Sequence, residues 1–352
     1  MDGTAAARLV DWESAARIGR GIAGAATPLG GTDRALLDEE MADVVAEADD
    51  LVTGLTGLQV QGPPSRPWVM TRSEWIEQNL RGFEQLLEPV AQRVLGRRLE
   101  GAMAPVRRKV LAAQIGGIMG YLARKVLGQY DLFLPPDDRD LLYFVGANIA
   151  ELEKQHAFPR RDFRLWIALH EVTHRVQFEG VPWLRPYLDQ LVKGYLSTLE
   201  LDTRKLIERL RRAREELGRG SSSWRDMGWI FALMSPEQRE KFRRMQAVMS
   251  LLEGHGNYVM DTLSEGRVRE ASRMRTVLHR RRTRQGFNKM VQRAVGLDVK
   301  VRQYDLGERF VAEVVNLARP EGFFRVWDRP ENLPTLAEIA RPDDWVERLA
   351  RT

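Results

Sequence analysis

Cysteine is absent from this chain of 352 residues. Its absence excludes disulfide bonds and thiolate metal sites, so a transition-metal site would have to be built from histidine and carboxylate side chains. Histidine is scarce as well, with five copies in the whole chain, which are His156, His170, His174, His255 and His279. Any metal chemistry therefore depends on a very small set of nitrogen ligands.

Long hydrophobic runs are also missing. The most apolar stretch, Val110 to Leu122, is about 13 residues long, whereas a helix needs about 20 apolar residues to cross a bilayer. The first residues, MDGTAAARLVDWESAARIG, do not combine a basic segment with a following apolar one, which argues against a secretory signal. We therefore expect a cytoplasmic protein with no membrane partner.

A strong charge of either sign is lacking too. Lysine and arginine number 54 against 49 acidic residues, which gives a net charge of +5 and is too mild to imply nucleic acid. The arginines do cluster around His279, and an acidic substrate is one interpretation. We favour a solvated helix face and no nucleic-acid partner, because no aromatic residue interleaves the run. Its members are Arg267, Arg269, Arg273, Arg275, Arg280, Arg281, Arg282 and Arg284.

Helical periodicity dominates the chain and predicts a mainly α fold. Two early helices, Ala5–Ala25 and Arg34–Leu55, are expected to form a helical hairpin. Thr71 and Glu74 form a capping box ahead of a long amphipathic helix. The signal returns from Arg161 onward and predicts helices at Trp183–Thr198, Asp202–Leu217 and Pro236–Leu263.

Strand signals are few. The best candidates are Tyr130–Leu134 and Leu141–Val145, which flank the turn Pro135-Pro136-Asp137-Asp138 and predict a small β-hairpin or short sheet. We expect an N-terminal helical lobe over residues 1–100 and a second domain over residues 101–352.

The segment LHEVTHR contains the motif HExxH, with His170, Glu171 and His174, on a stretch with helical periodicity. On a helix, residues four apart lie one turn above each other, so both imidazoles can bind one cation at about 2.0–2.1 Å. Glu171 is then expected to lie beside the metal and act as the general base that activates water. The plain alternative is a satisfied polar patch on a helix.

A catalytic zinc site normally has three protein ligands. The extended metzincin pattern is excluded, because Gln177 and Gly180 occupy the positions that it assigns to glycine and histidine. The best remaining region is LLEGHGNYVMD, where Glu253 and His255 fall on opposite flanks of a helical core stripe. Periodicity does not choose between these two, but the glycine after Glu253 favours Glu253, since it permits close approach of another helix.

Neighbouring polar residues have possible supporting roles. Asn257 and Asp261 continue the flank of Glu253 and could orient the metal ligands. Tyr258 could donate a hydrogen bond to a developing oxyanion, although packing is the commoner role of such a tyrosine. His255 could contact substrate near the metal, but a satisfied polar group is the favoured interpretation.

These segments, HEVTHRVQFEGVPWLRPYL and LLEGHGNYVMD, together with the tail LPTLAEIARPDDW, resemble an actinobacterial and chloroflexal zincin-like family of uncharacterised predicted hydrolases. The resemblance runs from about Val60 to the end of the chain. It implies that His170, His174 and Glu253 bind zinc and that Glu171 is catalytic. Members are described as zinc-dependent metalloproteases or are associated with biosynthesis of a deazaflavin coenzyme.

The sequence therefore predicts a zinc metallohydrolase, in particular a peptidase acting on a peptide or protein substrate. The strand Leu141–Val145 could receive an extended substrate by β-augmentation, or could be an ordinary buried strand. The alternative function is a non-catalytic, zinc-stabilised helical interaction protein. Glu171 argues against that alternative, because structural zinc does not need it.

Overall fold

Helices make up most of the structure. The computed structural model describes residues 8–24, 31–95, 103–131, 138–198, 234–284 and 302–351. The first seven helices are α1 (Trp12–Ala23), α2 (Gly31–Thr56), α3 (Arg72–Leu95), α4 (Ala104–Ala123), α5 (Gly146–His156), α6 (Arg160–Gly180) and α7 (Leu184–Ser197). The later ones are α8 (Pro236–Ser264), α9 (Ala271–Arg284), α10 (Arg302–Phe324), α11 (Leu336–Ala340) and α12 (Pro342–Ala350).

The mainly α prediction is confirmed, and so is the capping box before α3. There the Thr71 backbone N–H donates to Glu74 Oε2 over 2.6 Å, while the Glu74 N–H donates to Thr71 Oγ1 over 3.2 Å. The predicted helix Asp202–Leu217 lies outside the described residues.

A three-stranded sheet is the β component of the described chain. Its strands are β1 (Arg66–Met70), β2 (Gly128–Tyr130) and β3 (Leu141–Val145), in the order β1-β3-β2. Strand β1 pairs with β3 in parallel and β2 pairs with β3 antiparallel. The predicted short sheet is confirmed, with β1 as a strand that the sequence did not predict. Of the predicted strand Tyr130–Leu134, Tyr130 is the last residue of β2, and residues 132–137, which include most of the predicted turn, lie outside the described residues.

The interpretation of Leu141–Val145 as a peptide-receiving edge is wrong. This strand is β3, which is hydrogen-bonded on both sides and buried at every residue. Since its backbone groups already pair with two neighbours, a further strand cannot add to it. The edges of the described sheet are β1 and β2.

The sheet separates two hydrophobic cores. Leu142 and Phe144 of β3 pack into the larger core, which contains residues of α2 and α6 to α12. Leu141 and Tyr143 point to the other face, where they meet a smaller core built mainly from α1, α3 and α4. Alternate residues of a strand face opposite sides, so β3 is buried by helices on both faces.

The expected hairpin of the first two helices is wrong. Helix α1 packs mainly against α4, and α2 packs mainly against α6. Glycine explains the first contact, because a Cβ added to Gly116 of α4 would lie 2.4 Å from the carbonyl oxygen of Ala15. The backbones of α1 and α4 are therefore close enough that a side chain at Gly116 would prevent the packing.

Residues on either side of position 100 are in contact. Helix α2 packs on α6, and β1 pairs with β3. The division into regions 1–100 and 101–352 stays a prediction. In the part of the chain that the structure describes, no helix is both long and apolar enough to cross a membrane.

Candidate metal centre

Helix α6 carries the HExxH motif through the middle of the larger core. It packs against α2 on one side and α8 on another, and most of its residues are buried. Because His170 and His174 are separated by one helical turn, both imidazoles face α8. Their side chains each keep 13% of their surface exposed, so they lie at the boundary between core and solvent.

Three donor groups converge at this boundary. The Nε2 atoms of His170 and His174 lie 3.1 Å apart. Glu253 of α8 places its Oε2 atom 3.7 Å from His170 Nε2 and its Oε1 atom 3.8 Å from His174 Nε2. Two ligands of a tetrahedral zinc, each about 2.0–2.1 Å from the ion, are about 3.3 Å apart. The residues therefore fit a zinc ion in both spacing and donor type.

Glycine lets the histidine pair lie against α8. A Cβ added to Gly256 would come within 3.2 Å of Cε1 in both His170 and His174. Such contacts are tighter than normal van der Waals packing, so a side chain here would force the two rings to shift. The sequence did not predict this glycine as part of the site.

Gln177 connects His174 to the body of α8. Its Oε1 atom is 3.0 Å from His174 Nδ1, and its Nε2 donates to the Leu252 carbonyl over 3.1 Å and to His255 Nδ1 over 2.8 Å. Because the Gln177 oxygen can only accept, His174 Nδ1 carries the proton, and the Nε2 lone pair of His174 faces the cluster. Gln177 thus holds His174 in the tautomer that a metal requires.

His255 lies behind the cluster, among the rings of Phe323, Phe324 and Trp327. It is 1% exposed, and burial lowers the pKa of its imidazole to about 3. The ring is therefore neutral, with its Nδ1 accepting from Gln177. The group of possible metal ligands found in the described residues contains Glu253 and not His255.

Glu171 points towards the sheet. The backbone N–H of Tyr130 in β2 donates to Glu171 Oε2 over 3.2 Å. A Cβ added to Gly128 would lie 2.5 Å from Glu171 Cγ, so glycine leaves room for this side chain at the strand edge. Glu171 is thereby held between the helix of the histidines and the edge of β2.

The other candidates near the motif occupy different positions. Asn257 and Asp261 line the same cavity as the histidine pair, whereas Tyr258 packs against the larger core. Asp261 forms an ion pair with Arg275 of α9. His156 stacks on Phe158 and does not line the cavity.

A cavity of about 920 Å³ opens over the cluster. His170, Glu171, His174 and Glu253 all line it, as do the residues of β2. Its remaining walls come from the end of α4, from α9 and from the start of α10. The volume lies within the range of small-molecule binding clefts, so a ligand of that size fits beside the donor groups.

Comparison with protein families gives a match over most of the chain. The model that matches describes a zincin-like metallopeptidase and covers residues 10–346. The chain belongs to the zincin-like metallopeptidase family. Family membership supports a metal-dependent hydrolase, with zinc as the typical metal.

A solved structure resembles this chain in both sequence and fold. It is a crystal structure from Chloroflexus aurantiacus, described as a putative hydrolase with a novel fold. The two share 35% sequence identity with a TM-score of 0.74, over 98% of this chain and all of the other. Among curated proteins, no match was found.

Proposed function

We propose that this protein is a zinc-dependent peptidase in which His170, His174 and Glu253 hold the metal and Glu171 activates water. The convergence of two imidazoles and a carboxylate, all within 4.8 Å of one another, carries the proposal. The presence of Glu171 in the same cavity favours catalysis over a purely structural site, since structural zinc sites are closed by four protein ligands.

Each residue has a definite part in amide hydrolysis. When bound, zinc supplies Lewis acidity that polarises the scissile carbonyl and lowers the pKa of water. Glu171 accepts a proton from the attacking water at a carboxylate oxygen and delivers it to the leaving nitrogen. The Tyr130 N–H orients that carboxylate through its hydrogen bond to Oε2. Gln177 keeps the His174 Nε2 lone pair directed at the cluster.

Strand β2 is the proposed docking edge for an extended peptide. It is an edge strand of the described sheet, and its residues line the cavity beside Glu171. A peptide adding to this edge would gain hydrogen bonds to backbone groups of β2 other than the Tyr130 N–H, which is bonded to Glu171, and would pass its scissile bond over the donor cluster. This proposal replaces β3 with β2 as the receiving strand. The cytoplasmic location expected from the sequence stays a prediction.

Metal analysis combined with a peptide-library cleavage assay tests the function. Wild type and Glu171→Gln are both expected to bind one zinc per chain, because this substitution leaves the three ligands in place. Only wild type should turn over peptides, and the variant should lose about 10²- to 10⁴-fold in kcat, the contribution of a general base.

The rival function, a zinc-stabilised interaction protein, gives a different result. It predicts stoichiometric zinc in both proteins with no cleavage of any library member. His174→Ala serves as the metal-deficient control, since it removes one ligand and should abolish both tight zinc binding and turnover. Equal cleavage by wild type and Glu171→Gln would contradict the role of Glu171.

A further inference from the structure

The arginine run divides between two environments. Arg269 pairs with Asp162, and Arg273 pairs with Glu270 and donates to the His156 carbonyl. These two arginines do not line the cavity. A second group lines the cavity of the metal centre, and it consists of Arg275, Arg280 and Arg281 together with His279. Arg275, His279 and Arg280 are exposed, as a solvated helix face predicts, whereas Arg281 is half-buried.

Arg281 is a cavity cation whose nearby carboxylate, Glu151, forms its ion pair with Arg72. Its Nη2 donates to the Arg124 carbonyl over 2.9 Å, while its Nη1 is buried without a hydrogen-bond partner. Among the described residues, no carboxylate lies within ion-pairing distance of Arg281. By contrast, Arg275 on the same helix pairs with both Asp261 and Glu308.

The surroundings of Arg281 are cationic. Burial lowers the pKa of Arg281, the charge of Glu151 opposes this shift, and the charge of Arg72, which itself pairs with Glu151, adds to it. Burial and the charges of Arg281 and Arg124 likewise lower the pKa of Lys125, which lines the cavity at the end of α4. Cations held together in a partly buried wall attract an anion, and a guanidinium can bind a carboxylate through two parallel hydrogen bonds.

We propose that this wall selects the substrate: the cavity takes peptides with a carboxylate side chain near the scissile bond, and Arg281 binds that carboxylate with help from Lys125. The inference rests on the proposed peptidase function for turnover, but it also predicts selective binding without turnover. It gives a role to the part of the arginine run that faces the cavity.

Matched peptide pairs test the selectivity. Each pair consists of two hexapeptides that differ only in having Glu or Gln at one position. The pairs place this difference at each of the six positions in turn. Wild type should cleave the best Glu peptide about 10- to 100-fold faster in kcat/KM than its Gln partner, as expected for a charge-assisted hydrogen bond in a partly buried site. In Arg281→Gln the ratio of kcat/KM between the Glu and Gln peptides should fall towards one, because the guanidinium that distinguishes them is gone.

Arg267→Gln is the control for overall charge. It removes one cation from the same run, but Arg267 is exposed and does not line the cavity. It should keep the wild-type preference. Absence of a Glu preference in wild type, or its retention in Arg281→Gln, would overturn the proposal. If Arg281→Gln melts below the assay temperature, Lys125→Gln is measured instead. An undiminished preference of Lys125→Gln for the Glu peptide would also overturn the proposal.

Binding separates this inference from the peptidase proposal. Fluorescein-labelled Glu and Gln hexapeptides are titrated against the zinc-loaded Glu171→Gln variant, and anisotropy gives the Kd. The Glu peptide should bind more tightly than the Gln peptide. The double variant Glu171→Gln with Arg281→Gln should lose this difference. That result supports anion binding by Arg281 even if wild type cleaves no peptide. Equal binding of the two peptides, with or without cleavage, contradicts it.

Discussion

At the scale of single residues, Gln177 orients the metal centre, because it bonds His174 Nδ1 through its oxygen and the Leu252 carbonyl of α8 through its nitrogen. HExxH predicts two imidazoles on one helix face by spacing alone, and the structure brings Glu253 to the same point. In the sequence, Gln177 stands out only as a departure from the metzincin pattern. Its role depends on His255 and Leu252, which approach it only through the packing of α8 on α6.

Replacing Gln177 by methionine is expected to weaken zinc binding. Methionine keeps the volume but removes the acceptor for His174 Nδ1 and the donor to His255, so the imidazole loses its fixed tautomer. Loss of such an orienting contact typically lowers metal affinity about 10- to 100-fold. Competition with a chromophoric chelator measures the zinc Kd.

Thr173→Val provides the matched control for that variant. Thr173 is equally buried in α6, and its hydroxyl donates to the Leu169 carbonyl of its own helix. The valine variant should therefore bind zinc as wild type does. An unchanged Kd in Gln177→Met would mean that Gln177 only fills space.

At the scale of elements, periodicity located helices but not their partners. Strand β1 could not be predicted, because Gly62 to Pro67 is rich in turn formers and its pairing partner β3 lies about 75 residues further along the chain. Pro67 is compatible with an edge strand, where a missing N–H can face away from the ladder. Strand pairing of this kind depends on contacts between segments that are far apart in the sequence, and a local residue pattern does not predict such contacts.

The crossing of α8 and α10 offers a sharp test at this scale. A Cβ added to Gly307 would lie 1.9 Å from the Ser250 carbonyl oxygen, so Gly307→Ala must force the two backbones apart. We expect a loss of about 1–3 kcal/mol in the free energy of unfolding, the usual cost of overpacking. Chemical denaturation measures it, and weaker zinc binding should accompany it because α8 carries Glu253.

Gly21→Ala is the matching substitution in a helix with free space. No atom lies within 4 Å of a Cβ added there. Alanine should be neutral or stabilise the protein by up to about 1 kcal/mol, because it favours helix more than glycine does. If both alanine variants had the same stability, the α8–α10 contact would not be as close as described.

At the scale of the whole molecule, the metal centre links two helices that belong to one large core. Zinc should therefore stabilise the folded protein, since the unfolded chain does not hold the three donors together. At a free zinc concentration of 100 Kd, the gain is about 2.7 kcal/mol. Thermal melting with and without a chelator should show it as a rise in Tm of several degrees.

Two variants identify the ligands responsible for this shift. Glu253→Gln should lose most of the zinc-dependent rise, because the carboxylate beside both Nε2 atoms is gone. Glu171→Gln should keep it, because Glu171 is proposed as a base and not as a ligand. A full shift in Glu253→Gln would remove Glu253 from the metal site.

The distance along the chain between α6 and α8 has a consequence for biosynthesis. Gln177 and His255 touch although 78 residues separate them, and a ribosome adds that many in roughly 4–16 s at about 5–20 residues per second. During this interval the nascent chain contains His170, Glu171 and His174 but not yet Glu253. A hydrolase assembled in this order stays inert while it is being made, and acquires its reactivity only when α8 docks.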